Sequence, residues 1–279
     1  MSPLWRDVSP LWRDEVGIYL AQRRVCLVRM RRGVRPTLAA EVDRTDSQAP
    51  AGWEGALASL EQQLGENTWS DARARVVIAD QWVRYSVVPW SDSLNSTAER
   101  LGHARELMAG VFGDTMSDWT LSLSDAPPGS SRLASAMPTA LLESLRETTA
   151  RHGQKLVSVL PQLVAAHNTW RHVLPTAAAA WFVTVDSGSL AALRMCGDDI
   201  DRVHAVRIGM DWARELKRLQ TFGRLSSASP ADGRVYVDLP ATLQALRPEN
   251  SADLEWLEES NPPFTTLHQL EHLRRKAAA

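Results

Sequence analysis

The amino-acid sequence predicts an α/β protein made of two related lobes, each with the element order β-β-β-α-β. Three short apolar runs, a helical pattern and a further apolar run occur between residues 14 and 79, and the same order returns between residues 181 and 239. Residue identity between the two halves is nearly absent, so the repeat lies in the order of elements. Apolar residues make up 44% of the chain and charged residues 23%, which predicts a globular protein with a sizeable core.

The first half begins with three apolar runs that predict strands, at Val16–Leu20, Val25–Met30 and Val34–Val42. Helical spacing follows over residues 53–64, and Gly65 is placed to end that helix. Residues 74–79 predict a buried strand, and alternation over residues 81–89 predicts a strand with one solvated face. The segment after it predicts helices at 98–112, 138–152 and 161–173, strands at 119–124 and 155–160, and a Pro/Gly/Ser loop at 125–131.

The second half repeats this order and then continues into a charged tail. Its predicted elements are strands at 181–186, 190–195, 201–208 and 234–239 and helices at 210–222 and 241–246, with helix-like patterns at 253–259 and 266–276. At the other end of the chain, Ser2–Asp7 (SPLWRD) recurs as Ser9–Asp14. This duplication predicts either a mobile arm or an adhesive arm whose tryptophans anchor in a partner's groove. The predicted organisation is an arm at 1–13, a first lobe with a helical insertion at 14–174, and a shortened second lobe with C-terminal helices at 175–279.

Charge and composition exclude several classes of partner. The formal net charge is −2, so no overall field attracts nucleic acid or an anionic membrane. No apolar run approaches the ~18 residues that a membrane span needs, and no apolar signal core is present. We therefore expect a cytoplasmic protein that reaches the inner membrane only through a partner. Cys26 and Cys196 lie far apart in apolar runs, which predicts two buried thiols and no disulfide framework.

Three segments carry a resemblance to a known superfamily. Val16–Ala21 stands where a first phosphate loop with the pattern Gly-Ile-Asp-Ile-Gly is expected, and Val185–Ser189 resembles a second loop with Asp-x-Gly. Ile78–Trp90 resembles the strand pair between them. A three-stranded meander followed by a helix is the unit of the ribonuclease-H-like fold, and two such units build the actin-like ATPase fold. The chain resembles this bacterial superfamily, in particular PilM-type pilus-assembly proteins and the cytoplasmic domain of GspL-type secretion proteins.

The departures from that pattern predict a pseudo-ATPase. Tyr19 stands in place of the first acid, Ala21 in place of its glycine, and Cys26 in place of a lysine. An actin-like site needs an acidic group to organise hydrated Mg²⁺ and bare glycine backbone to approach phosphates. Only Asp186 and Gly188 remain, so they are the cofactor-binding residues if ATP and Mg²⁺ bind at all. No catalytic residue and no metal ligand is predicted, and no cofactor is expected.

Two spaced histidines near the C-terminus are candidate metal ligands. His268 and His272 lie one helical turn apart, where both could contact one metal ion. The flanking leucines favour an amphipathic terminal helix instead, because no third ligand is evident.

Tryptophan content and the resemblance together predict a partner-binding surface. The chain has 11 tryptophans, a residue enriched in binding hot spots, and Trp82 and Trp90 flank the predicted strand pair. PilM-type resemblance implies a groove in the first lobe that takes the cytoplasmic peptide of a bitopic inner-membrane protein. The predicted lining is Val83, Tyr85 and Val87 together with the following helix.

Three functional hypotheses follow. The first is a non-catalytic scaffold, or adaptor, in a type IV pilus or type II secretion platform, for which self-association is also left open. The second is an active actin-like ATPase of the same machinery, which would use Asp186. The third is an unrelated α/β interaction domain, which would lack the pair of lobes.

Overall fold

The structure, a computed structural model, describes most of the chain. The described residues are 13–31, 37–45, 52–176, 178–186, 188–197, 199–209, 212–225, 234–239, 243, 247 and 254–257. Almost all of the predicted N-terminal arm, the predicted helix at 266–276 and the two histidines on it lie outside these residues.

The described residues group into two compact units. One lies within residues 1–78 and 141–160, and the other within residues 79–140 and 161–261. The sequence-based division into lobes at residue 174 stays a prediction.

Strands and helices alternate along the chain in the following order. The strands are β1 (Glu15–Ala21), β2 (Arg24–Arg31), β3 (Thr37–Thr45), β4 (Arg73–Ile78), β5 (Arg84–Val88), β6 (Trp119–Leu123), β7 (Arg132–Pro138), β8 (Lys155–Pro161), β9 (Ala179–Val185), β10 (Ser189–Cys196), β11 (Asp199–Arg207), β12 (Arg234–Asp238) and β13 (Leu254–Trp256). The helices are α1 (Glu54–Leu64), α2 (Thr97–Phe112), α3 (Thr139–Arg151), α4 (Gln162–Trp170) and α5 (Trp212–Leu225).

The first unit contains a mixed sheet with the strand order β3-β2-β1-β4-β8. Strand β1 pairs antiparallel with β2 and parallel with β4, so both of its edges are satisfied. Val16, Ile18 and Leu20 on β1 are fully buried, and α1 lies against β1 and β2 and buries Leu60. A continuous apolar run is what a strand covered on both faces requires.

The second unit contains a sheet with the same topology, in the order β11-β10-β9-β12-β13. Strands β1 and β9 have seven residues each, β2 and β10 eight, and β3 and β11 nine. The first two strands of each meander share one pattern of buried and exposed positions, residue for residue. Each meander also has a register shift after the sixth residue of its second strand, at Arg29 and at Arg194. The predicted internal repeat of mixed sheets is confirmed.

A second, smaller sheet in the second unit has the order β5-β7-β6. Its β7 strand is not predicted by the sequence pattern of residues 132–137. Alanine and serine, which have low strand propensity, supply three of its residues, and both neighbours pair with it. Small side chains suit this central strand because α2 packs directly over Ala134 and Ala136.

Helix α2, which covers this sheet, begins and ends at recognisable signals. Ser96 Oγ accepts a hydrogen bond from Glu99 N at 3.1 Å, and the Glu99 carboxylate accepts one from Ser96 N at 3.0 Å. This reciprocal arrangement is a capping box. Gly113 ends the helix with a φ of 79°, a conformation that favours glycine.

Three sequence predictions are wrong in detail. Residues 81–89 do not form one strand, since Asp80–Trp82 is a 3₁₀ turn and only β5 follows it. The pattern at 253–259 does not form a helix, because residues 254–256 pair parallel with β12 as β13. Cys26 is buried as predicted, but Cys196 is exposed because it is the last residue of β10.

No helix within the described residues combines the length and the apolar character needed to cross a membrane.

Candidate functional site

Asp80 is a buried carboxylate at the centre of a hydrogen-bond network in the second unit. It opens the 3₁₀ turn before β5, and only 4% of its surface is exposed. Tyr85 Oη donates to Asp80 Oδ1, and Leu163 N donates to the same oxygen at 3.1 Å. Thr184 Oγ1 donates to Asp80 Oδ2 at 3.3 Å. One side chain therefore connects β5, the first turn of α4 and β9.

The sequence of α4 explains why this carboxylate is needed. Pro161 occupies the N-cap of α4 and has no side-chain acceptor for the free N–H groups of the first turn. Asp80 instead accepts a hydrogen bond from Leu163 N, and its negative charge lies at the N-terminus of α4, where the helix dipole favours it. The helix is thus capped by a residue from a distant segment.

Burial changes the ionisation of both partners in this network. The pKa of Asp80 is raised to about 6, mainly by burial and to a smaller extent by the nearby Asp186 carboxylate, although hydrogen bonds from Tyr85, Leu163 and Thr184 act in the opposite direction. Burial and the adjacent Asp80 raise the pKa of Tyr85 well above its usual value. Tyr85 therefore stays a neutral donor at every physiological pH.

The two predicted cofactor residues lie in the β9–β10 hairpin close to this network. Asp186 is buried, and its backbone N–H donates to Ser189 O at 2.9 Å. Gly188 O accepts from Ile208 N at 3.1 Å. A Cβ on Gly188 would lie 3.0 Å from Gln81 Oε1, so the side chain of Gln81 already occupies the space beside this glycine.

The first predicted phosphate loop is a tight hairpin in which Tyr19 does not lie at the turn. Tyr19 pairs with Cys26 on β2 and with Val77 on β4, and it is 1% exposed. The turn itself consists of residues 22 and 23. Because β1 and β9 match in length, the first turn residue, Gln22, corresponds to Asp186. Neither Tyr19 nor Gln22 carries a negative charge. The first hairpin therefore has no acid at the position of the phosphate-loop aspartate, whichever of the two residues corresponds to it.

A metal site of ordinary composition is absent from the part of the chain that the structure describes. No three residues among its histidines, cysteines, aspartates and glutamates are placed to hold one ion. Asp80 and Asp186 interact electrostatically, but no third acidic or imidazole ligand joins them.

A groove of 470 Å³ lies beside β5 in the second unit. Its apolar lining comes from β5, β9, β11 and α5, and consists of Tyr85, Val87, Trp181, Val203 and Leu219. The charged groups at the groove are largely paired within the protein. Glu215 lies 3.4 Å from His204 and 3.6 Å from Arg218, and Asp201 accepts from Arg194. The groove therefore has an apolar floor, and most of the charged groups on its rim are paired with opposite charges.

The predicted partner-binding residues occupy different environments. Tyr85 and Val87 line the groove, whereas Trp82 and Val83 are buried and are not among its lining residues. Trp90 is half-buried in the loop after β5, where its Nε1 donates to Asp92 at 2.8 Å and Arg100 lies 5.2 Å over its ring. Whether these residues bind a partner stays a prediction.

Helix α2 does not line the groove, contrary to the predicted lining by the following helix. Val88 and its neighbours on β7 face α2, while Arg84 contacts the rings of Phe112 and Trp119 on that same face. Tyr85 and Val87 point to the opposite face because side chains alternate along a strand. The second wall is instead supplied by β11 and α5, which follow β5 by more than 100 residues.

Asp80 and Thr184 were not singled out by the sequence analysis. One signal was present, since a carboxylate directly follows the buried run at 74–79. Polar side chains immediately after a buried strand often lie where several segments converge. No sequence signal connects Asp80 to Thr184, which lies 104 positions away.

Comparison with known proteins identifies the architecture. No protein-family model and no curated protein matches the sequence. The cytoplasmic domain of EpsL, an inner membrane component of the type II secretion system of Vibrio cholerae, superposes with a TM-score of 0.57 and 12% identity, over 94% of this chain and 95% of that chain. A chain of the PilM–PilN type IV pilus biogenesis complex gives 0.62 and 15%, over 88% of each. A Bacteroides thetaiotaomicron protein with an actin-like ATPase fold gives 0.56 and 11%, over 83% of each.

The chain has the actin-like ATPase fold. The predicted fold class is thereby confirmed, as is the resemblance to the actin-like superfamily at the level of fold. Two of the three structures come from pilus and secretion machinery.

Proposed function

We propose that this actin-like chain is a non-catalytic adaptor that binds the cytoplasmic segment of a membrane protein in a type IV pilus or type II secretion platform. The observation that carries the proposal is the apolar groove of 470 Å³ beside β5. Its size is in the range that accommodates a small molecule or a few side chains of a peptide. The likeness to the EpsL cytoplasmic domain and to a chain of the PilM–PilN complex supports a place on the cytoplasmic side of the inner membrane.

Burial of apolar surface supplies the driving force for such a contact. Trp181 and Tyr85 provide large aromatic walls, and aromatic residues dominate the energetics of protein interfaces. Glu215 and Asp201 on the polar rim are already paired, so a peptide can cover the groove without leaving either carboxylate unpartnered. Peptide capture therefore buries apolar area at little electrostatic cost.

The eroded nucleotide loops support the non-catalytic part of the proposal. Neither Tyr19 nor Gln22, the two positions of the first hairpin that could correspond to the phosphate-loop acid, is acidic, and the backbone at Gly188 is approached by Gln81 rather than left open. Phosphate binding by backbone N–H groups requires close access to that backbone.

A displayed library of random peptides, selected on the 279-residue chain, tests the groove. We expect selected peptides to lose at least about 30-fold in affinity against Val87→Asp, because the new carboxylate would be buried against apolar walls. Val173→Asp is the matched control, since Val173 is 48% exposed, and it should bind as the wild type does. Val203→Asp alters the opposite wall and should repeat the loss.

Circular dichroism on each variant verifies folding. Equal affinity for wild type, Val87→Asp and Val203→Asp would contradict a peptide site in the groove.

The alternative function, an active ATPase, is favoured only by the retention of Asp186 and Gly188. Titration with ATP and Mg²⁺ distinguishes the two functions. We expect no saturable binding at millimolar nucleotide, measured by calorimetry. Saturable micromolar binding that disappears in Asp186→Ala would replace the adaptor proposal with the ATPase.

A further inference from the structure

The groove beside β5 runs along strand edges and not across one face of a sheet. Its lining includes three consecutive residues of β5, 85–87, and four consecutive residues of β11, 201–204. Neighbouring side chains of a strand point to opposite faces, so a groove over a single face would be lined by every second residue. Both strands are also the outermost strands of their sheets, in the orders β5-β7-β6 and β11-β10-β9-β12-β13. The two edges therefore bring main chain as well as side chains to the groove.

The main chain of β7 determines which groups of β5 face its free edge. Ser124 N donates to Leu133 O at 2.9 Å, so the main chain of Leu133 faces β6. Main-chain groups alternate in direction along a strand, and Ala134, the next residue, therefore faces β5, where it pairs with Ser86. The N–H and C=O groups of Ser86 are used in that pairing. Those of the residues directly before and after Ser86 point away from β7.

Tyr85 and Val87 therefore each turn an N–H donor and a C=O acceptor to the free edge of β5. No strand among the described residues pairs with this edge. The same alternation applies to β11, where Ile208 N donates to Gly188 O at 3.1 Å and so faces β10. Val203, five residues earlier, turns its main chain away from β10 and to the free edge of β11.

The free edge of β5 is better suited than that of β11 to accept a further strand. Its three lining residues, 85–87, carry no charge at neutral pH. Charged side chains on an edge strand discourage the addition of another strand. Three of the four lining residues of β11 have acidic or basic side chains, namely Asp201, Arg202 and His204.

We propose that the peptide bound in the groove is an extended strand that adds to the free edge of β5 through main-chain hydrogen bonds to Tyr85 and Val87. The inference rests on the proposed function and specifies the conformation of its partner. An added strand satisfies donors and acceptors that the contact would otherwise remove from water, and it directs every second side chain to the apolar walls. The main chain then supplies affinity, and the side chains that reach Trp181 and Leu219 supply sequence preference.

A helical peptide is the less favourable occupant of this groove. The main-chain groups of a helix bond to one another, so a helix over the groove would shield the N–H groups of Tyr85 and Val87 from water without replacing their hydrogen bonds. A buried donor or acceptor without a partner costs free energy. The free edge of β5 therefore favours an extended partner.

A peptide selected from the displayed library is the probe for this mode of binding. Its analogues, each N-methylated at one main-chain amide, are titrated against the 279-residue chain by calorimetry. We expect affinity to fall by about tenfold or more at every second residue, because a strand bonds to its neighbour through alternate residues. Methylation at the intervening residues should change affinity by less than about threefold.

Val87→Pro tests the same hydrogen bonds from the side of the protein. Proline removes the N–H that points to the free edge and leaves the pairing of β5 with β7 in place, which is why edge strands tolerate it. Val87→Ala is the matched control, since it shortens the side chain and keeps the N–H. We expect Val87→Pro to bind the peptide about tenfold more weakly than Val87→Ala. Circular dichroism on both variants verifies folding.

The outcomes separate this inference from the proposed function. Equal tolerance of N-methylation at all positions, or losses at every interior position as a helix would show, would overturn strand addition, while sensitivity to Val87→Asp would keep the groove as the binding site. Equal affinity of Val87→Pro and Val87→Ala, with a loss in Val203→Pro relative to Val203→Ala, would overturn the assignment to β5 in favour of β11. Binding that is insensitive to Val87→Asp and to Val203→Asp would overturn the proposed function itself.

Discussion

The free energy of unfolding of the wild type is expected to fall between pH 3.8 and about 6, and Asp80→Asn is expected to remove this fall. Burial raises the pKa of Asp80 from 3.8 to about 6, so the folded chain holds this proton more tightly than the unfolded chain. Stability is then greatest below the lower pKa and declines as pH rises through the higher one. At about 1.4 kcal/mol per pKa unit, the fall amounts to about 3 kcal/mol.

Asparagine reproduces the protonated form of this carboxyl group. Its Oδ1 accepts from Leu163 N and Tyr85 Oη as the carboxylate does. Its amide nitrogen donates to Thr184 Oγ1, at the position where Asp80 Oδ2 now accepts. The Thr184 hydroxyl can then donate to Ala191 O, which lies 3.4 Å away. The network keeps its partners with one hydrogen bond reversed, so the variant should fold.

Urea unfolding of wild type and Asp80→Asn at half-unit steps from pH 4 to 7.5 measures the effect. Asp80→Ala is the informative comparison, because it leaves Leu163 N and Tyr85 Oη without an acceptor and should destabilise at every pH by about 2 kcal/mol. Parallel stability curves for wild type and Asp80→Asn would show that Asp80 does not titrate in this window.

Asp43→Ala should lower the free energy of unfolding by about 3 kcal/mol through a separate ion pair in the first unit. Arg24 on β2 donates to Asp43 on β3 through Nε and Nη2, each at 3.1 Å. Both side chains are largely buried, with 10% and 11% of their surfaces exposed. Removal of the Asp43 carboxylate leaves the buried Arg24 guanidinium without a counter-ion. The free-energy penalty of that uncompensated charge is larger than the net stabilisation that the ion pair provides.

The double variant Arg24→Met with Asp43→Val distinguishes this explanation from simple loss of packing. An apolar pair of similar volume leaves no charge buried, so we expect recovery to within about 1 kcal/mol of wild type by urea unfolding. A double variant as unstable as Asp43→Ala would show that the ion pair itself, and not the stranded charge, provides the stability.

The order of elements was predictable because each strand of the two meanders carries its own apolar run. Val16–Leu20 and Val25–Met30 are buried on both faces, and continuous apolar sequence is the local consequence. Strand β7 was not predictable because it has no apolar run of its own. Its Ala134, Ser135 and Ala136 are small residues whose burial depends on α2 and on both neighbouring strands. Strand β13 was not predictable because its three residues form a strand only through their pairing with β12.

The candidate site was only partly predictable. Tyr85 and Val87 were predicted as lining residues from the resemblance to PilM-type proteins, and they line the groove beside β5. The resemblance also assigned Val83 to the lining, but Val83 directly follows a 3₁₀ turn and is not among the residues that line this groove. The far wall, from β11 and α5, could not be found from the neighbourhood of β5 because it belongs to the second meander.

The sequence by itself determined the repeated β-β-β-α-β order, since that order is a property of local residue pattern. Only the tertiary structure decided that Asp80 meets Leu163 and Thr184, from which it is separated by 83 and 104 positions. Contacts between such distant segments arise from the packing of whole elements, and the energy that favours them is absent from any short stretch of chain.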